Sequence, residues 1–176
     1  MNSFRIWLFR GLAVIPAALM VASSILPWWS ASVMGRKVQI YQWGLRHNLE
    51  QLSTHLEPDI TPFYQTVFAW VFIAVSVGLI LYSTWLKGKK GRWLLGSIGL
   101  IYIAYVLIAV FVVISNRIVD FDIQLQGLTR IEESGMQIAI MTELRFGYYL
   151  AYVAGGLCII LALLRNIIVG RSKLSA

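Results

Sequence analysis

The stretch TVFAWVFIAVSVGLILYSTWL (residues 66–86), then KGKKGR (87–92), then WLLGSIGLIYIAYVLIAVFVVIS (93–115) decides the fold of this chain. Two runs without a single charged side chain enclose a short turn that carries four bases. A helix rises about 1.5 Å per residue and a bilayer core is about 30 Å thick, so each run is long enough to cross it. The turn is too short to hold a domain. Residues 66–86 and 93–115 therefore read as an antiparallel pair of membrane helices. Working outward, residues 6–26 and 146–166 are two further apolar segments of the same length class, and the chain reads as a single integral membrane domain over residues 1–176. The expected fold is a membrane-embedded all-α bundle of four helices. Two loops, 27–65 and 116–145, are left to build a small extracytoplasmic β-rich cap.

Composition agrees with this layout. Of 176 residues 59% are hydrophobic and the mean hydropathy is +0.72, more apolar side chain than a soluble core can bury. The net charge of +7 is unevenly spread. Arg5, Arg10, Lys87, Lys89, Lys90, Arg92, Arg165, Arg171 and Lys173 lie at the two ends and in the central turn, with no acid among them. All eight acids lie in the two longer loops, where six bases accompany them. Basic residues mark the cytoplasmic side, so both termini and the 87–92 turn are expected in the cytoplasm of a cell or cytoplasmic membrane, with both longer loops outside. The basicity is thus a topology signal and an attraction to anionic headgroups, not a nucleic-acid footprint. Arg5, Arg10 and residues 11–22, followed by Ser23 and Ser24, also fit a cleavable leader; the segment is read here as an uncleaved first span containing Pro16.

The lone cysteine, Cys158, falls within the fourth span, so no disulfide can staple the outer loops and no C-x-x-C redox pair or cysteine-based metal site exists. No histidine or acid occurs inside a span, so bis-histidine haem ligation and intramembrane carboxylate relays have no residues to use. His47 and His55 are eight residues apart, about 12 Å on a helix, too far to share one metal ion. They read as solvent-facing polar residues, the competing reading being a site with Glu50 or an acid of the second loop. Asp120, Asp122, Glu132 and Glu133 offer a calcium reading, against which alternate strand residues facing water explain Asp120 and Asp122. No catalytic residue, cofactor or metal site is assigned, and the chain is expected to be non-enzymatic. Tyr102 and Tyr105, with Tyr148 and Tyr152, are expected to pack ordinarily; a quinone or lipid cleft is the alternative.

In the first loop, residues 28–34 and 37–43 are β-prone around Gly35 and Arg36 and predict a hairpin. Beyond Gly44, Leu45, Leu49, Leu52 and Leu56 recur at helical spacing and predict an amphipathic helix ending at Pro58. In the second loop Val119, Phe121, Ile123 and Leu125 alternate with polar residues and predict a strand. A turn near residues 132–135 and a second strand over 136–142 complete another hairpin. The two hairpins could join in one small sheet capping the outer ends of the helices, its apolar face covered by the leucine-striped helix. Gly147, Ala151 and Gly155 place small residues on one stripe of the fourth helix, where backbones can approach closely; packing within the bundle is the expectation, a dimer seam or a partner subunit the alternative. Ala74 and Gly78 in the second helix, and Ala13 with Ala17 or Ala18 with Ala22 in the first, are weaker candidate counterparts.

Four spans, cytoplasmic ends and a small sheet drawn from both outer loops resemble the claudin and peripheral-myelin-protein group. In that group a first-loop tryptophan precedes a Gly-Leu-Trp element and two cysteines. Here Pro27-Trp28-Trp29 follows the first span and Trp43-Gly44-Leu45 comes later; Arg46 stands in place of the second tryptophan, and the cysteine pair is missing. The resemblance implies adhesion, barrier or membrane-organising roles and no catalytic residues. The expected partners are the lipid bilayer and other membrane proteins or a second copy of the chain. The residues expected to make contact are Trp28, Trp29, Trp43, Leu45, Leu49, Leu52 and Leu56, with intramolecular burial of the same groups as the counter-reading. A cofactor-free accessory subunit of a larger respiratory, photosynthetic or other multi-subunit complex is the alternative to an organiser or scaffold.

Overall fold

The computed structural model describes residues 3–33, 36–47, 63–86, 88–114, 123–133 and 136–169. Four helices long and apolar enough to cross a membrane are present among them: α1 (Ser3–Ile25), α2 (Phe63–Ser83), α3 (Gly88–Ile108) and α4 (Phe146–Ile168). The backbone of α3 continues as a π-helical segment, Ala109–Ile114. Relative to the sequence reading, α1 and α2 begin three residues earlier, and α3 begins five earlier, so that Gly88–Arg92 of the expected turn are helical.

α4 is the central helix and packs most extensively against α3 and α1. Its buried stripe runs through Gly147, Ala151, Ala154, Gly155, Cys158, Leu161, Ala162 and Arg165. The small residues let backbones approach. A methyl group added at Gly155 would lie 2.6 Å from Ile103 Cγ1 and 3.1 Å from the Gly99 carbonyl oxygen, and one at Gly147 would lie 2.6 Å from the Leu26 carbonyl oxygen. The counterparts are therefore Gly99 on α3 and the C-terminal end of α1. Gly78 faces open space instead.

Among the described residues five strands form one antiparallel sheet in the order β3-β2-β1-β5-β4, with β1 at Trp29–Val33, β2 at Arg36–Tyr41, β3 at Gly44–His47, β4 at Gly127–Glu133 and β5 at Met136–Leu144. The central pair β1–β5 joins the first loop to the second. It also continues the helices that flank it: Arg145 N donates to Trp28 O at 2.8 Å, and Gly147 N donates to Pro27 O at 3.1 Å. One face of the sheet buries Trp29, Ala31, Ile140 and Thr142. Residues 123–126 cover part of it, with Ile123 and Leu125 packed on the core.

Two strand expectations need correction. Leu45 belongs to β3 rather than to an amphipathic helix, because Tyr41 pairs with Gly44 and makes Gln42-Trp43 a two-residue hairpin loop. Gly44 has φ 151°, backbone that only glycine adopts without strain. Leu49, Leu52, Leu56 and His55 lie outside the described residues, as do Glu50, Asp120 and Asp122. In the second loop Val119 and Phe121 also lie outside the described residues; among the described ones the ladder starts at Gly127, after Ile123 and Leu125. Residues 123–126 alternate in burial as a strand would, yet Trp29 Nε1 donates to Leu125 O and Thr142 Oγ1 to Gln124 O, both at 2.8 Å. Side chains thus occupy carbonyls that a neighbouring strand would otherwise use.

Candidate functional site

At the sheet end of the bundle, the tip of the β2–β3 hairpin drops between the ends of α2 and α3. Tyr41 and Trp43 stack with ring centroids 5.1 Å apart, and Thr66 Oγ1 on α2 donates to the Trp43 carbonyl at 2.9 Å. Gln42, at the tip, is 9% exposed. Its Oε1 accepts from the Tyr102 hydroxyl at 3.4 Å, and Tyr102 lies 3.0 Å from Ser23 Oγ. The Gln42 amide nitrogen is buried without a hydrogen-bond partner among the described residues. A buried, unpaired donor of this kind is destabilising by about 1–3 kcal/mol, so its presence asks for a reason.

Beside this tip lies a cleft of about 710 Å³. The hairpin supplies Ile40 to Gly44, α2 supplies Tyr64, Phe68 and Ala69, and the end of α3 with its π-helical segment supplies Tyr105, Ala109 and Ile114. Trp28 closes the floor, its ring edge-on to Tyr105 at 6.2 Å. A π-helical turn forces the chain out of regular packing and often marks functional sites. Here it forms one wall. Tyr64, Phe68 and Ile108 line the cleft and are also exposed, so they rim its mouth on the side of α2 and α3.

The structure sorts the residues singled out in the sequence. Trp28 and Trp29 are 1% and 3% exposed, so the expectation that they contact a partner is corrected: both rings are core. Each indole N–H is satisfied within the chain, Trp28 by Ser23 O at 2.9 Å and Trp29 by Leu125 O, which is how a buried tryptophan avoids an unpaired donor. Trp43 is half-buried in the cleft wall. Gly147, Ala151 and Gly155 lie in the contacts of α4 with α1 and α3. Tyr102 and Tyr105 meet at the sheet end, while Tyr148 and Tyr152 pack on one another at 5.2 Å. The two pairs do not line one cleft. Among the described residues no three of His, Cys, Asp and Glu gather as metal ligands.

The other surface of note is the exposed sheet face. Leu128 on β4 and Met141 on β5 are register partners, 54% and 58% exposed. Arg130 opposite Ala139 and Glu132 opposite Gln137 continue the same exposed face.

Sequence reasoning missed the cluster at the opposite end. Arg165 is only 6% exposed. Its Nη1 donates to Ser83 O at 3.0 Å, its Nη2 donates to Leu86 O, and its guanidinium lies 5.2 Å from the Phe9 ring centroid. The signal was available, since residue 165 continues the stripe through Gly155, Cys158 and Ala162. Arg10 reaches over the Trp85 ring at 4.7 Å nearby.

No protein-family model matches this chain, and no curated protein matches it either.

Proposed function

We propose that this chain is a non-enzymatic membrane protein that acts by contact, through the exposed face of its sheet, on a neighbouring membrane protein or a second copy of itself. Leu128 beside Met141 is the observation that carries this reading. Two large apolar side chains sit side by side on an exposed sheet face, with Arg130, Glu132 and Gln137 next to them. An apolar centre with a polar rim is the usual anatomy of a protein contact surface. The buried tryptophans below hold that face in place, so little ordering is needed on association. Charge asymmetry supports an orientation with both longer loops outside and both termini in the cytoplasm. A sheet drawn from both loops beside four apolar helices is also the plan of the claudin and peripheral-myelin-protein group, which favours the organiser form of the reading.

Native mass spectrometry of the particle extracted in mild detergent is the test. The expected result is a mass above that of one chain, reduced to one chain by Leu128→Lys combined with Met141→Lys. A homo-oligomer supports the organiser form, and stoichiometric larger chains would assign an accessory subunit. Recovery of the wild-type chain alone, together with no cross-linking in intact membranes, would reject contact by this face.

A further inference from the structure

We propose that the cleft beneath the β2–β3 hairpin is a binding site for one membrane glycerolipid, with an acyl chain among the aromatic side chains and an ester carbonyl accepting from the Gln42 amide. This site is separate from the exposed sheet face and does not depend on it. Three observations converge on a lipid. The cleft volume, about 710 Å³, falls within the roughly 300–1,000 Å³ typical of small-molecule pockets, and most of its lining is apolar or aromatic. Its mouth is rimmed by Tyr64, Phe68 and Ile108, exposed side chains on membrane-length helices, so the molecules that meet it in a bilayer are lipids.

The third observation is depth and polarity. α2 is 21 residues long, enough to cross about 30 Å of hydrocarbon, so its first two turns lie near one boundary of that layer. Tyr64, Phe68 and Ala69 all belong to those turns. The boundary is where glycerolipid esters sit, and there Gln42 holds a buried nitrogen that lacks an acceptor among the described residues. Its carbonyl side is already engaged by Tyr102, which leaves the N–H groups for a ligand. A ligand carbonyl would relieve the unpaired donor, whereas an all-hydrocarbon guest would leave it unsatisfied.

Native mass spectrometry of the full chain in detergent, titrated with dioleoylphosphatidylcholine and with its diether analogue that lacks the ester carbonyls, tests this. The diester is expected to form a one-to-one adduct about tenfold more tightly than the diether. Gln42→Leu is expected to erase that preference while leaving weak binding of both. Ala109→Phe, which fills the cleft, is expected to abolish the adduct, and Leu100→Phe, on an exposed helix face elsewhere, to leave it unchanged. Equal affinity for diester and diether, a preference that survives Gln42→Leu, or an adduct that survives Ala109→Phe would each overturn the proposal. Displacement of the lipid by equimolar decylubiquinone would also overturn it and give the cleft to a quinone. Thermal unfolding reports whether each variant folds; if Ala109→Phe does not, the Gln42→Leu comparison decides alone.

Discussion

At position 165 a guanidinium lies among the ends of three helices. The carbonyls of Ser83 and Leu86 close α2 and begin the turn to α3, and they are the groups that a helix C-terminus leaves unpaired. A fixed cation at the negative end of α2 satisfies them and complements the helix dipole. Gly91 makes room: a methyl group there would overlap the Arg165 side chain and come within 2.5 Å of Ser83 O. Arg165→Met is expected to lower stability by about 2–3 kcal/mol, read as an earlier thermal unfolding midpoint in detergent. Arg165→Lys should recover less than half of that, because an ammonium cannot fork to two carbonyls from one plane. A midpoint unchanged in Arg165→Met would mean that the desolvation of the charge offsets all its bonds. The sequence counted this residue with the cytoplasmic bases because its place at the end of an apolar run fits a snorkelling side chain equally well. Only its position on the small-residue stripe of α4 distinguishes the two.

Between elements, α4 meets α3 where Gly155 faces Gly99. The α4 half of this seam was legible as Gly147, Ala151 and Gly155 spaced by four. Its α3 half was not, since Gly96 and Gly99 look alike in sequence and only packing separates them. Gly96 has ordinary contact with Ala162 at 3.5 Å, whereas Gly99 abuts the Gly155 carbonyl at 2.7 Å from an added methyl group. Gly155→Leu is expected to destabilise by about 1–3 kcal/mol through overpacking. Gly156→Leu, one residue along and with nothing within 4 Å, should be neutral in the same unfolding experiment. Equal effects at both positions would locate the cost in helix propensity or lipid contact rather than in the seam. For the strands, alternation marked the buried and exposed sides of residues 123–126 correctly but could not say whether they join a ladder. That depended on Trp29 and Thr142 taking the carbonyls, contacts that reach across 96 and 18 residues.

At the scale of the whole molecule, the apolar spans were legible because charge exclusion is local, and the hairpins because β-prone runs flank turn residues; the β1–β5 pairing that unites them is a long-range contact. The cleft was not legible, because it is assembled from the hairpin tip, α2 and α3 and becomes visible only in three dimensions. The orientation proposed above is open to a direct check, since the only cysteine, Cys158, is buried. In a Cys158→Ala background, Glu132→Cys should react with a membrane-impermeant maleimide added to intact cells, and Lys89→Cys should react only after the cells are opened. The opposite pattern would invert the membrane orientation while leaving the fold intact. Finally, Arg145 Nε donates to Ser30 Oγ at 2.7 Å across 115 residues of chain, beside the β1–β5 ladder. During synthesis β1 can fold against β2 as soon as both emerge, but its other edge stays bare until the last membrane segment is being made. A nascent chain arrested after α3 would present an open β1 edge and Trp29 without its cover at Leu125, a ready template for pairing with another chain.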